Sequence, residues 1–216
     1  MARVAHDKQK RGGVGSKRRR LRPDARRVEL LEAALSVLRS RGPINARVED
    51  VTEAAGAAKG TFYLYFSSWD DLLVKVRAHL LSQYISEMRT RFAAEARSDW
   101  WAAFENECVR FVAFIEELGE LHEAVFHGPI ADRPIDNAIS SEAIIAGMLR
   151  TGIESGECRP VEINVAARLL FAVLHTTVDC IIKTGERDRY LCALFDLLRA
   201  WLRTPGAMVT EQTTST

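Results

Sequence analysis

Apolar residues recur along this chain at spacings of three and four, and nowhere at the two-residue alternation of a strand. Val28, Leu31, Leu35 and Leu38 predict a first helix that begins at Pro23-Asp24 and stops at Arg41-Gly42-Pro43. Asp50, Val51, Ala54 and Ala55 give a small, close-packing second helix, and Gly56 stands where the chain must reverse sharply. Phe62 and Phe66, four apart, share a face of the third that suits burial. Ser67 or Ser68, with Asp70 or Asp71 three residues on, caps a fourth helix over residues 69–94 through Leu72, Val76, Leu80, Tyr84 and Met88. A fifth spans residues 99–118 and ends at Gly119; residues 121–126 form a short helical piece and 127–134 a loop. The seventh runs over residues 135–156 with Ile139, Ile144, Met148 and Ile153 inward, and the last two cover 161–183 and 187–202. All six prolines fall at these boundaries. The fold expected is all-α, with about nine helices.

The last two helices are apolar over more than one stripe. A surface helix needs only one, so broad stripes call for cover on two sides. One cover is the chain's own core. The other is either more of that core or a second copy packed as a four-helix bundle. Leu170, Leu174, Val178, Leu194, Leu198 and Trp201 are the candidates for such a dimer interface.

Charge changes the picture at the N-terminus. The total is +1, yet residues 1–27 hold eleven Lys/Arg against Asp7 and Asp24, a surplus of nine that leaves a deficit of eight on the rest. A basic arm on an acidic body suits a polyanion partner at one end. Residues 1–22 have few large apolar groups and are expected to be disordered alone. No apolar run follows the basic start, so no signal peptide is expected. No segment reads as a membrane span: the best, residues 165–182, contains Arg168, His175 and Asp179 and is expected to be a deeply buried helix. The expected location is cytoplasmic. Cys108, Cys158, Cys180 and Cys192 show no metal-type spacing; Cys180 and Cys192 read as buried thiols, and Cys158 as the exposed one and a candidate redox switch.

Lys59, Gly60, Thr61, Phe62, Tyr63, Leu64, Tyr65 and Phe66 crowd a cation and hydroxyls onto a helix anchored by two rings, as a recognition helix in a major groove requires. Residues 26–76, and most specifically this run, resemble the TetR family of bacterial helix-turn-helix transcriptional regulators. The resemblance implies a DNA-binding module over residues 23–68, a ligand-binding and dimerisation domain over 69–204, and a polar tail over 205–216. It implies that Thr61 and Tyr63 approach base edges or phosphates and that Leu64 reaches a thymine methyl. Lys59, Tyr65 and the close backbone at Gly60 would meet phosphate. Tyr63 has an alternative as core. Two positions depart from the family pattern. Ala58 replaces a capping Ser or Thr, and Arg47 stands at the second helix's cap, where its guanidinium could bind phosphate or Asn45 could cap instead. Trp69 replaces a frequent Lys. Lys17, Arg18, Arg19, Arg20 and Arg22 could compensate along phosphates or in the minor groove, or serve only as a solubilising tail.

The family commonly holds a small-molecule pocket among helices four to eight, whose occupation moves the fourth helix. Trp100, Trp101, Phe104, Phe111, Phe114, Phe126 and Phe171 are apolar candidates, with His127, His175, Thr176 and Asp179 as polar ones. Each aromatic could instead be ordinary core, His175 and Asp179 could bond each other, and His127 could face solvent. No finger-type cluster of Cys and His is present, and neither metal nor cofactor is expected. Nor is a catalytic constellation: Gly12-Gly13-Val14-Gly15 lacks the strand and Lys-Ser/Thr of a phosphate loop. The expected function is a repressor that binds a palindromic double-stranded DNA operator as a homodimer and is released by a largely apolar effector. The alternative is an effector-independent, dimeric DNA-binding factor.

Overall fold

The structure is a computed structural model that describes residues 22–130, 133 and 140–203. Lys17, Arg18, Arg19 and Arg20 of the arm, residues 135–139 of the expected seventh helix, and the tail after residue 203 lie outside them. Nine α-helices follow one another among the described residues: α1 (Pro23–Arg41), α2 (Val48–Ala54), α3 (Lys59–Tyr63), α4 (Trp69–Glu95), α5 (Trp100–Leu118), α6 (Glu120–His122), α7 (Ser141–Glu154), α8 (Ile163–Thr184) and α9 (Arg187–Leu202). The only β pairing among them is an isolated bridge between Cys158 and Arg203.

Side chains that satisfy orphan backbone groups fix where the long helices begin. Ser68 Oγ accepts from Asp71 N–H at 3.1 Å while the Asp71 carboxylate accepts from Ser67 N–H at 2.9 Å, which starts α4. Asp99 and Ser140 do the same for α5 and α7 through Ala102 N–H and Ala143 N–H. Gly119 and Gly185, both at positive φ, end α5 and α8.

α1 and α2 pack on each other, α3 on α2, and the start of α4 on α1. Leu30, Leu38, Val51, Phe62, Phe66, Leu72 and Val76, each at most 1% exposed, fill the space between them. Val28, expected inward, is 47% exposed; Leu30 and Ala34 take the inner face of α1 instead. Behind this unit, α4 carries on against α5, and α7, α8 and α9 close the bundle.

Two expectations fail on α8. By length and mean hydropathy (1.7 over its best window) it is long and apolar enough to cross a membrane, and only 33% of that window is buried within the chain. It is therefore not a deeply buried helix of one chain. The candidate interface residues are also misplaced: Leu170, Val178, Leu194 and Leu198 are at most 4% exposed, spent on the chain's own core. Leu174 and Trp201 are half-buried. Val165, Leu169 and Ile182 of α8 and Leu197 of α9 are the apolar groups left uncovered.

Candidate nucleic-acid interface and interior sites

The α2–α3 pair owes its geometry to small residues and one glycine. Gly56 has φ +57° and its N–H reaches Glu53 O at 2.9 Å, while Ala57 N–H returns to Thr52 O at 2.8 Å. That left-handed step strains any residue with a Cβ. α3 is barely a turn and a half, and its N-cap Ala58 offers no side-chain bond. It is held from below by two rings: Phe62 and Phe66 are buried, with centroids 5.2 Å apart.

Fixing those rings inward turns the opposite side of α3 outward. Tyr63 is 53% exposed and Leu64 80%, so Tyr63 is not core. Gly60 is exposed with no atom within 4 Å of where a Cβ would stand, and Thr61 and Tyr65 are half-buried. Lys59 is not a free cation: its Nζ bonds the Glu49 carboxylate of α2, which raises the lysine's pKa and lowers the glutamate's, so both stay charged at neutral pH. Arg47 is exposed and its N–H donates to Asp50 Oδ2 at 2.9 Å, so α2 is capped by an acid three residues on. Asn45 does not cap α2; it donates to Arg41 O at the end of α1. Arg22, at the start of α1, is exposed.

Behind α4 lies an apolar cavity of about 80 Å³, enclosed by Tyr84 and Met88 of α4, Phe104 and Phe111 of α5, and side chains of α7, α8 and α9 that include Phe171. Pockets that bury drug-sized ligands run to roughly 300–1,000 Å³, so this one takes a large ligand only by opening. Its one charged wall residue, Glu107, is answered by Arg110 at 2.7 Å and Arg91 at 3.3 Å. Burial beside Glu107 pushes the Tyr84 phenol well above its usual range.

Several pocket candidates do other things. Trp100 and Trp101 are core, their indole N–H groups donating to Met148 O and Glu157 O. Phe114 stacks on Tyr84 at 4.6 Å. Thr176 faces outward from α8. Cys158, expected exposed, is 2% exposed, and burial pushes its thiol up to about 12. Cys192, expected buried, is exposed, because the core side of α9 belongs to Leu191, Leu194 and Leu198.

Four polar residues that the sequence leaves in separate groups meet. α6 runs straight into a π-helical turn, Glu123–His127, so the expected loop begins later. His127 Nε2 lies 3.1 Å from Asp179 Oδ1, and His175 Nδ1 lies 3.7 Å from Asp179 Oδ2. The His122 ring is 4.8 Å from that of His127 and 6.1 Å from that of His175. Burial, aided by the neighbouring imidazoles, pushes His122 down to about 4. The sequence also gives no sign of Arg77. This buried α4 guanidinium donates to Val125 O at 3.2 Å, to Ile130 O at 3.1 Å and to Arg133 O, binding α4 to the same turn.

Residues 30–76 match the family described as "Bacterial regulatory proteins, tetR family". An uncharacterised HTH-type transcriptional regulator of Bacillus subtilis (strain 168), YvdT, is 32% identical over 77 residues; that match takes in 36% of this chain and 39% of YvdT. The fatty acid metabolism regulator protein of the same organism is 23% identical over 170 residues, 74% of this chain and 85% of that one. The crystal structure of a TetR-family transcriptional regulator from Pectobacterium atrosepticum, 22% identical, shares the fold with a TM-score of 0.61 over 84% of this chain and 96% of that chain.

Proposed function

We propose that the chain, whose residues 30–76 match the TetR family of bacterial transcriptional regulators, is a dimeric, sequence-specific repressor whose release from a palindromic operator is driven by a small, largely apolar effector. The observation that carries this reading is the outer side of α3, where an exposed Tyr63 and Leu64 project from a helix locked by Phe62 and Phe66. Burying a leucine side chain stabilises by roughly 1.5–3 kcal/mol, and a thymine methyl in the major groove is a surface against which Leu64 gains part of that. Residues 23–68 form the reader in this proposal, and residues 69–204 the sensor and dimer body. Thr61, Tyr63 and Leu64 meet base edges; Lys59, Gly60, Tyr65, Arg47 and the arm at residues 17–22 meet phosphates.

One α3 reads few base pairs. Two on a two-fold axis read half-sites about one helical turn (~34 Å) apart. Val165, Leu169, Ala172 and Thr176, at spacings of four, three and four, make an uncovered stripe down α8, and Leu197 adds to it from α9. A second copy laid along α8 and α9 covers that stripe. The effector occupies the cavity behind α4. Tyr84 and Met88 put α4 in its wall, so a ligand that widens the cavity displaces the helix that leads to the reader. Similarity to a regulator of fatty acid metabolism and the nearly all-apolar wall both favour an acyl chain as the ligand class. The regulator acts in the cytoplasm, where its DNA is.

Selection of bound DNA from a random pool tests the reader. A palindromic motif is the expected result, and enrichment without two-fold structure would refute it. Thermal-shift measurements with a series of fatty acids and acyl thioesters test the sensor. Failure of every member to stabilise the protein favours the effector-independent factor instead.

A further inference from the structure

We propose that His122, His127 and His175, with Asp179 orienting two of the rings, bind one divalent transition-metal ion of the zinc class. One nitrogen from each of the three imidazoles lies within 4.8 Å of those of the other two. Nitrogens around a common tetrahedral ion at ~2.1 Å stand about 3.4 Å apart, so closing the site asks for roughly an ångström of side-chain movement. His127, the exposed member, is the least confined by packing and supplies most of it.

The π-helical turn is what brings the ligands together. In an α-helix, residues five apart point about 140° away from each other, and His122 and His127 would diverge. In a π turn, hydrogen bonds run from i to i+5, so those two positions lie one above the other. The turn faces His175 and Asp179, which are four apart on one face of α8. Asp179 sits against both outer rings, in the role of the carboxylate that fixes ring orientation at histidine–metal sites.

His122 gives the second, independent sign. It is 5% exposed, and its Nε2 is buried without a hydrogen-bond partner among the described residues. A buried polar nitrogen left so is costly, and a metal ion removes the cost. Phe126 and Phe171 pack beside His122 and His175 and give the site an apolar wall. Three imidazoles select Zn²⁺, Ni²⁺, Co²⁺ or Cu²⁺ over Mg²⁺ and Ca²⁺, which prefer oxygen. Val125, between the two ligands of the turn, is the residue whose carbonyl holds Arg77, so a bound ion braces the anchor of α4.

The full-length protein, stripped with chelator, is titrated with Zn²⁺ by calorimetry and with Co²⁺ by visible absorption. The expected result is one ion per chain, with the intense bands of a tetrahedral Co²⁺ centre, and no saturable uptake of Mg²⁺. Because His122 is buried, its replacement tests folding as much as binding; His127→Ala and His175→Ala are the informative variants. Each is expected to weaken Zn²⁺ by more than about 100-fold, beyond the loss that follows from an orienting residue alone, and to leave the melting temperature in chelator unchanged within a few degrees. His79→Ala, which alters a histidine paired with Glu32 and not a member of the cluster, is expected to bind as the parent does. Absence of saturable Zn²⁺ uptake by the parent, or uptake that survives both His127→Ala and His175→Ala, overturns the assignment.

Discussion

Arg77 of α4 donates to the main-chain carbonyl of Val125, so the helix that follows the helix-turn-helix is bonded to the π-helical turn at the end of α6. Hydrogen bonds from a charged group contribute about 1.5–3 kcal/mol each, offset here by the cost of holding a guanidinium away from water. Arg77→Met fills similar space but strands the carbonyls of Val125 and Ile130. It is expected to destabilise the protein by about 2 kcal/mol in urea unfolding at fixed protein concentration, with an unchanged m-value. Arg77→Lys restores a point charge without the fork that spans several carbonyls, and should recover less than half of the loss. Full recovery would mean that charge, not geometry, holds the turn.

In the proposed complex, Lys59 reaches DNA only by leaving Glu49. The two form an exposed ion pair, so Lys59→Ala removes a cation that its own protein has already partly neutralised. Glu49→Gln frees that cation and removes a carboxylate from the DNA-facing side. It is expected to tighten binding to all sequences severalfold at low salt and to steepen the salt dependence by about one phosphate contact, roughly −0.9 in the slope of log K against log salt. Tyr63→Ala should instead erase preference between operator and non-operator DNA. Weaker binding by Glu49→Gln would show that Glu49 orders α2–α3 rather than restraining Lys59.

Residues 1–20 carry the densest positive charge of the chain. Their deletion should flatten the same salt slope, by about 0.9 for each phosphate the arm neutralises. An unchanged slope would leave the arm no part in DNA binding, and would place the whole electrostatic contribution on the helix-turn-helix.

Thiol reactivity follows burial rather than sequence context. Cys192 is exposed and Cys180 half-buried, whereas burial pushes both Cys108 and Cys158 up to about 12. Only the thiolate reacts. Full-length native protein should therefore show one fast thiol toward a colorimetric disulfide reagent, lost in Cys192→Ser, and a slower one from Cys180. Cys108 and Cys158 should react only after unfolding. A fast phase that persists in Cys192→Ser would contradict the packing of Cys158.

The helix-turn-helix and the helix count are legible in the sequence because both rest on local rules. Spacing by three and four, caps such as Ser68, and the glycine reversal at Gly56 each act within a few residues. What escapes is long-range or breaks α-helical phase. Leu170 and Leu198 look like interface residues by composition, but which side of an apolar helix meets its own core depends on every helix packed beside it. Cys158 sits in a turn that reads as exposed, yet the bridge to Arg203 and the Trp100 ring cover it. His122 and His127 seem to diverge for the reason given by α-helical geometry, and only the π turn reverses that. Arg77 gives no local sign at all, since the carbonyls of Val125, Ile130 and Arg133 to which it donates lie at least 48 residues away.

Gly152 and Gly147 lie on the same helix, α7, and should respond oppositely to alanine. Replacing glycine inside a helix gains up to about 1 kcal/mol in propensity. At Gly147 nothing lies within 4 Å of the added methyl, so that gain is expected in full. At Gly152 the methyl would stand 2.6 Å from the Trp100 ring and 2.9 Å from Cys158 Sγ. The indole has no room to yield: its N–H is held by Met148 O at 3.1 Å and Thr151 Oγ1 at 3.2 Å, and its face stacks on Phe104 at 4.8 Å. Overpacking a fixed core costs about 1–3 kcal/mol, which exceeds the propensity gain. Gly152→Ala should thus lower stability by about 1–2 kcal/mol and Gly147→Ala raise it, both measured by urea unfolding at one protein concentration. If Gly152→Ala proved as stable as the parent, the Trp100 ring would not occupy the position that brings α5 against α7.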